Sequence, residues 1–118
     1  MTVYGYLIPG EAGEGAESME LQQRNVQAYA QEIGVVIDHL YTEEMESLAL
    51  TFRKRSVGAA LLEEVKNGDV VLVSQTESVL GSAREGLRLV EFLAKEGVSL
   101  YCCDLKENIS LPTPRKLV

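Results

Sequence analysis

The sequence predicts an α/β fold: a three-layer αβα sandwich around a mostly parallel sheet of four to five strands. Two observations carry that expectation. Short apolar, β-branched runs alternate with segments whose apolar residues recur at helical spacing. Helical segments also close on Gly34, Asn67-Gly68 and Gly97, just ahead of the next apolar run.

Taken in order, TVYGYLI at residues 2–8 reads as a buried first strand. Met19, Gln22, Val26, Tyr29, Ala30 and Ile33 fall on one helical face, with Ser18 as N-cap and Gly34 just past the end. VVIDHLY at 35–41 reads as a second strand, in which alternation places Ile37, His39 and Tyr41 on one face and Asp38 and Leu40 on the other. Thr42 to Lys54 reads as loop with a helical turn. A short helix fits 56–66, turning Leu61, Leu62 and Val65 inward. DVVLV at 69–73 is a third buried strand. Ser82 followed by Glu85 forms a capping box for a helix whose apolar side carries Leu87, Val90, Phe92, Leu93 and Ala94. VSLYCC at 98–103 is the fourth strand, and the tail from Asp104, with Pro112 and Pro114, reads as irregular.

The chain has 118 residues, so one domain spanning 1–118 is expected, large enough for a core without staples. The net charge of −7 repels anionic polymers overall, and the one basic cluster, Arg53-Lys54-Arg55, reads as a solvated helix start. DNA binding by this chain alone is therefore expected to be weak or absent. No apolar stretch reaches the roughly 20 residues that span a bilayer, and the N-terminus lacks the basic region of a signal peptide. Adjacent Cys102 and Cys103 cannot bridge distant segments and read as small buried apolar residues in a reducing, cytoplasmic setting. No metal-ligand spacing and no cofactor motif is present. Glu43, Glu44 and Glu46 read as a solvated acidic loop, and His39 as a structural histidine.

The stretch YGYLIPGEAGEGAES, residues 4–18, runs from a strand through a glycine-rich loop into a helix. That is the layout of a phosphate cradle. The spacing is GxxGxG rather than GxGxxG, however, and Glu11, Glu14 and Glu17 would repel a phosphate. A small-ligand or nucleotide site using loop 9–17 stays open as one alternative.

A second comparison comes from GDVVLVSQTESVLGSAREGLRLVEFLAKEGVSLY, residues 68–101. This block resembles the catalytic domain of the serine recombinases, the resolvase/invertase family. There a Gly-Asp opens an apolar strand, a loop reading Asp-Arg-Leu-Gly-Arg-Ser follows, and a helix and a Gly-Val step lead to the next strand. Tyr4-Gly5-Tyr6 is similar to the family's first strand, Arg55 to an arginine that precedes its Gly-Asp block, and ENISLPTPRK to its Thr/Pro-rich exit. The resemblance covers nearly the whole chain and implies a resolvase-like fold.

It also implies an eroded active site. The family attacks a DNA phosphate with a serine at the end of the first strand, and Gly10 stands at that position. Ile8 stands where an activating arginine belongs. Glu77 replaces the loop aspartate, and Ser78 and Gly81 replace its two arginines. Arg55 keeps its identity, Gln22 or Gln23 matches a helix glutamine, and the loop after Gly10 is longer than the family's. Attack on a phosphodiester builds charge that positioned donors must stabilise, each worth about 10²–10³ in rate. With three arginines and the nucleophile missing, no catalytic residue is expected. The sequence reading is thus an inactive serine-recombinase-like domain serving as an interaction or regulatory module, self-associating as a homodimer or binding a protein partner. The alternative is a strand-transfer enzyme with a displaced site, in which Ser18 or Ser78 replaces the nucleophile. The family's catalytic domain is followed by a dimerisation helix and a helix-turn-helix domain, which this chain is not expected to contain. The helix from Ser82, apolar over more than half its circumference, supports association weakly.

Overall fold

The computed structural model describes residues 1–9 and 18–110. Their elements run β1 (Val3–Leu7), α1 (Met19–Ile33), β2 (His39–Thr42), two 3₁₀ turns (Met45–Ala49 and Phe52–Lys54), α2 (Ser56–Glu64), β3 (Val70–Val73), α3 (Glu77–Leu80), α4 (Ala83–Glu96), β4 (Ser99–Cys102) and β5 (Glu107–Asn108). One five-stranded sheet forms in the order β2-β1-β3-β4-β5. The first three pairings are parallel, and β5 is antiparallel to β4.

The sheet has a core on each face. Val3 and Leu7 point to one side, where α1 covers them with Val26, Tyr29 and Ala30. Tyr4 and Tyr6 point to the other, where Leu61 and Val65 from the α2 segment and Leu89 and Leu93 of α4 pack. The expected three-layer αβα architecture is therefore present. β1 and β3 are buried along their whole length, which is why their runs are continuously apolar rather than alternating. Ser18 and Ser82 cap α1 and α4, accepting from the N–H groups of Leu21 and Glu85, and Gly34 and Gly97 close the same helices in left-handed geometry.

Several expectations need correction. β2 begins at His39, not Val35, because Asp38 leaves the strand path to accept from the Val3 N–H through its carboxylate at 2.8 Å. The alternation therefore starts late. Ile37 packs with the α1-side core, not with His39 and Tyr41, which stack beside Tyr4 on the opposite face. α2 stops at Glu64 rather than 66. The tail is not irregular from Asp104: a tight turn folds β5 back onto β4, and the Ser110 hydroxyl anchors it by donating to the Val98 carbonyl and accepting from the Leu100 N–H. In α4, Gly86, Leu89 and Leu93 are the buried residues, while Leu87 is 60% exposed and Ala94 is exposed. Met19 is exposed as well. Among the described residues no helix is long and apolar enough to cross a membrane.

Candidate functional site

In an open parallel sheet, ligands and chemistry belong at the carboxyl ends of the strands, where the strand order reverses. Here that point lies between β1 and β3, pairing the exit at Ile8 with the exit at Ser74. Gln22 of α1 fixes the first exit. Its side-chain oxygen accepts from the Ile8 N–H at 3.0 Å and its amide donates to the Ile8 carbonyl at 2.8 Å. Ile8 itself is half-buried and packs against the core on the α2–α4 side. Gly10 lies outside the described residues, as does the rest of loop 9–17 beyond Pro9.

Arg55 enters this cleft from the start of α2. Its Nη1 donates to the Ser78 carbonyl at 2.7 Å and to the Tyr6 hydroxyl at 3.3 Å, and its Nε donates to the Leu50 carbonyl at 2.9 Å. It is half-buried, unlike exposed Arg53 and Lys54, so the solvated reading of the triplet fails for its last member. A guanidinium presents its donors as a fixed fork, and here Nε and Nη1 are bound by two backbone carbonyls and the Tyr6 hydroxyl. Ser78 reaches Arg55 through its backbone, not its hydroxyl. Glu77 is exposed in the first turn of α3. Gly81 ends α3 at φ 60°, ψ −130°, a backbone region that strains any residue with a Cβ. An arginine at 81 would meet open space but the wrong backbone.

Sequence reasoning missed the most densely bonded group in the cleft. Glu43, expected in a solvated loop, is 2% exposed. Its Oε1 accepts from the Tyr6 hydroxyl at 2.7 Å and the Gly58 N–H at 2.9 Å. Its Oε2 accepts from the N–H groups of Val57 at 2.9 Å and Glu44 at 3.0 Å. The α2 N-terminus has no cap from its own N-cap residue, Arg55. Glu43 supplies that cap from the end of β2, placing a carboxylate on the positive end of the helix. Ser47 completes it by accepting the Ser56 N–H at 3.2 Å. Burial alone would raise the Glu43 pKa, but the bonds from Val57, Tyr6, Glu44 and Gly58 together hold it below the usual carboxylate value. Burial, moderated by Arg55 and reinforced by Glu43, pushes the Tyr6 phenol well above its ordinary value. Tyr6 therefore stays protonated at neutral pH as a donor to Glu43 and cannot act as a phenolate nucleophile. The one sequence signal for the cap was indirect: a helix start at 56 preceded by no Ser, Thr, Asp or Asn.

The other candidate residues disperse. The Ser18 hydroxyl is occupied as the α1 cap. Ser74, buried at the exit of β3, is bonded by the Asn25 amide at 3.1 Å. His39 is exposed on edge strand β2, its ring tilted against Tyr4 at 5.6 Å and stacked on Tyr41 at 6.1 Å. Cys102 is fully buried, and burial pushes its thiol up to about 11. Cys103 is only half-buried, contrary to expectation; among the described helices α1 alone packs on its face of the sheet. It lines an open groove of about 600 Å³ together with Asn25, Tyr29, Ser74, Asp104 and Lys106. Among the described residues, no group of three or more His, Cys, Asp or Glu is placed to hold a metal ion.

A family model described as the resolvase N-terminal domain matches residues 11–118. The chain belongs to the resolvase N-terminal domain family. Comparison with curated protein sequences gives no match. Among solved structures, this resolvase-family chain is similar to the N-terminal catalytic domain of TP901-1 integrase, at 20% identity over 99% of this chain and 88% of that one, with a TM-score of 0.77. It is similar also to a resolvase family site-specific recombinase from Streptococcus pneumoniae, at 22% identity over 96% of this chain and 78% of that one, with a TM-score of 0.72. The C-terminal catalytic domain of ISC1926 TnpA, an IS607-like serine recombinase, follows at 14% identity over 87% and 67%, with a TM-score of 0.64. At these identities the structural likeness is one of fold. The family match begins one residue past Gly10, so β1 and Ile8 stand ahead of it.

Proposed function

We propose that this resolvase-family domain does not carry out DNA strand exchange and works instead as an interaction or regulatory module. The observation that carries this reading is the commitment of Arg55. It is the one arginine of the family pattern that the sequence keeps, and all three of its hydrogen bonds go to Leu50, Tyr6 and Ser78. A donor that stabilises a phosphoryl transition state must be aimed at an incoming oxygen, whereas this one ties the start of α2 to β1 and α3. Ile8 adds an apolar wall where the family resemblance calls for a cation. Tyr6 and Glu43 hold each other, so neither offers a free base or nucleophile at neutral pH.

The direct test is a denaturant-resistant protein–DNA adduct on supercoiled and nicked substrates. None is expected. An adduct mapped to Ser18, Ser74 or Ser78 would overturn the reading in favour of a displaced active site.

Arg55→Ala gives a second check, by stability. If Arg55 is structural, its loss leaves the Ser78 and Leu50 carbonyls without this donor and lowers the unfolding free energy by about 1–2 kcal/mol. Chemical denaturation followed by circular dichroism measures this. A near-neutral effect would mean that the guanidinium is free for a ligand.

A further inference from the structure

We propose that the groove between α1 and the β4–β5 turn binds a free basic amino acid, its carboxylate held at Tyr29 and Lys106 and its cationic groups at Glu32 and Asp104. This goes beyond the interaction-module reading and uses none of the cleft around Arg55.

The groove exists because the sheet is covered unevenly. Among the described helices α1 alone packs on its face of the sheet, and it lies over β1 and β3. The β4 residues that point the same way, Ser99 and Tyr101, stay half-buried. The space beside α1 has a volume of about 600 Å³, within the roughly 300–1,000 Å³ of small-molecule sites.

Tyr29 carries the proposal. It is only 7% exposed, with its ring edge-on to Tyr101 at 5.9 Å. Its hydroxyl opens to the groove and has no hydrogen-bond partner among the described residues. A buried phenol normally finds such a partner, and the groove is where a ligand would supply it. Burial raises the Tyr29 pKa, and Tyr101, Cys103 and Glu32 beside it raise it further, so the phenol meets a ligand as a neutral donor.

Charge selects the ligand class. The groove is lined by two carboxylates, Glu32 and Asp104, and one ammonium, Lys106. Lys106 is the one non-glycine residue among those described with a left-handed backbone, at φ 53°. Its Nζ stands 3.4 Å from Glu32, and both side chains are more than half exposed. So loose a surface pair adds little to the fold, and a ligand can replace it at both ends. The Asp104 carboxylate is held in place by the Thr76 N–H at 3.1 Å and the Thr76 hydroxyl at 2.8 Å. A basic amino acid carries the complementary set, two cations and one carboxylate. A phosphate or a dicarboxylate would set its charge against Glu32 and Asp104.

Calorimetric titration of the whole chain with L-arginine and with L-lysine tests this. Saturable binding is expected for both, and none for L-glutamate. Tyr29→Phe removes the hydroxyl alone. That hydroxyl bonds nothing in the described protein, so the melting temperature should hold while affinity falls about threefold to tenfold. Lys106→Gln should also weaken binding. Lys95→Gln, on the exposed side of α4, makes the same change of net charge and should bind like wild type. Bound L-arginine should slow alkylation of Cys103 by N-ethylmaleimide, read by mass spectrometry, with fully buried Cys102 as the unreactive reference. The proposal is overturned by the absence of saturable heat with both amino acids up to about 10 mM. It is overturned equally by L-glutamate binding as tightly, by affinity unchanged in Tyr29→Phe, by a lowered melting temperature in that variant, or by a Cys103 alkylation rate that L-arginine does not alter. None of these readouts involves DNA, so this proposal and the inactive reading fail separately.

Discussion

Glu43→Gln is expected to lower the unfolding free energy by about 2–4 kcal/mol. The carboxylate accepts four hydrogen bonds, three from backbone N–H groups and one from Tyr6. A glutamine offers one acceptor oxygen, and its amide hydrogens would face N–H groups that need acceptors. At least one buried donor is then stranded at the first turn of α2, and the helix loses the negative charge at its positive end. The pH dependence carries a sign. The folded-state pKa of Glu43 lies below its ordinary 4.5. Its contribution is therefore fully present above about pH 4.5 and is lost as pH falls through the lower folded value. Urea denaturation of both proteins should show a gap that is constant at neutral pH and narrows on acidification below that point. A gap under about 1 kcal/mol at neutral pH would mean that the helix start is held by something other than this carboxylate.

Gly58→Ala is expected to cost about 2 kcal/mol, although alanine is the better helix former by about 1 kcal/mol. A Cβ at 58 would lie 2.3 Å from the Phe52 carbonyl oxygen and 3.2 Å from its ring. The clash is with backbone, so no side-chain rotation relieves it. The 3₁₀ turn at Phe52–Lys54 must move away from α2, and Phe52, packed edge-on against Tyr6 at 4.8 Å, moves with it. A drop of several degrees in melting temperature is the readout. A stabilised variant would show that this turn yields easily and that the close approach is incidental.

The layers of the fold were legible in the sequence because burial on both faces leaves an unmixed signal. VVLV at 70–73 has no polar residue to interrupt it, and Ser18, Gly34, Ser82 and Gly97 mark their helix ends by local chemistry. The errors gathered where a side chain acts at a distance. Asp38 delayed the start of β2 because it reaches back to Val3, and Glu43 escaped notice because its partners lie at Tyr6 and at 57–58. A cluster of three glutamates looks the same in sequence whether all are solvated or one is folded inward to cap a helix. Of the cleft, the family pattern supplied the positions of Ile8, Arg55 and residues 77–81. It did not supply the carbonyls to which Arg55 is bound, since backbone acceptors leave no mark in a sequence.

The grip of Gln22 on both backbone groups of Ile8 has a consequence for how this chain can be altered. The strand exit is bolted to α1 at Ile8, and the Ser18 cap secures the start of the helix. Added length between two such fixed points costs mainly closure entropy, roughly 0.6 kcal/mol for each doubling. This bracket holds the β1 exit and the start of α1 in register independently of the chain that joins Ile8 to Ser18.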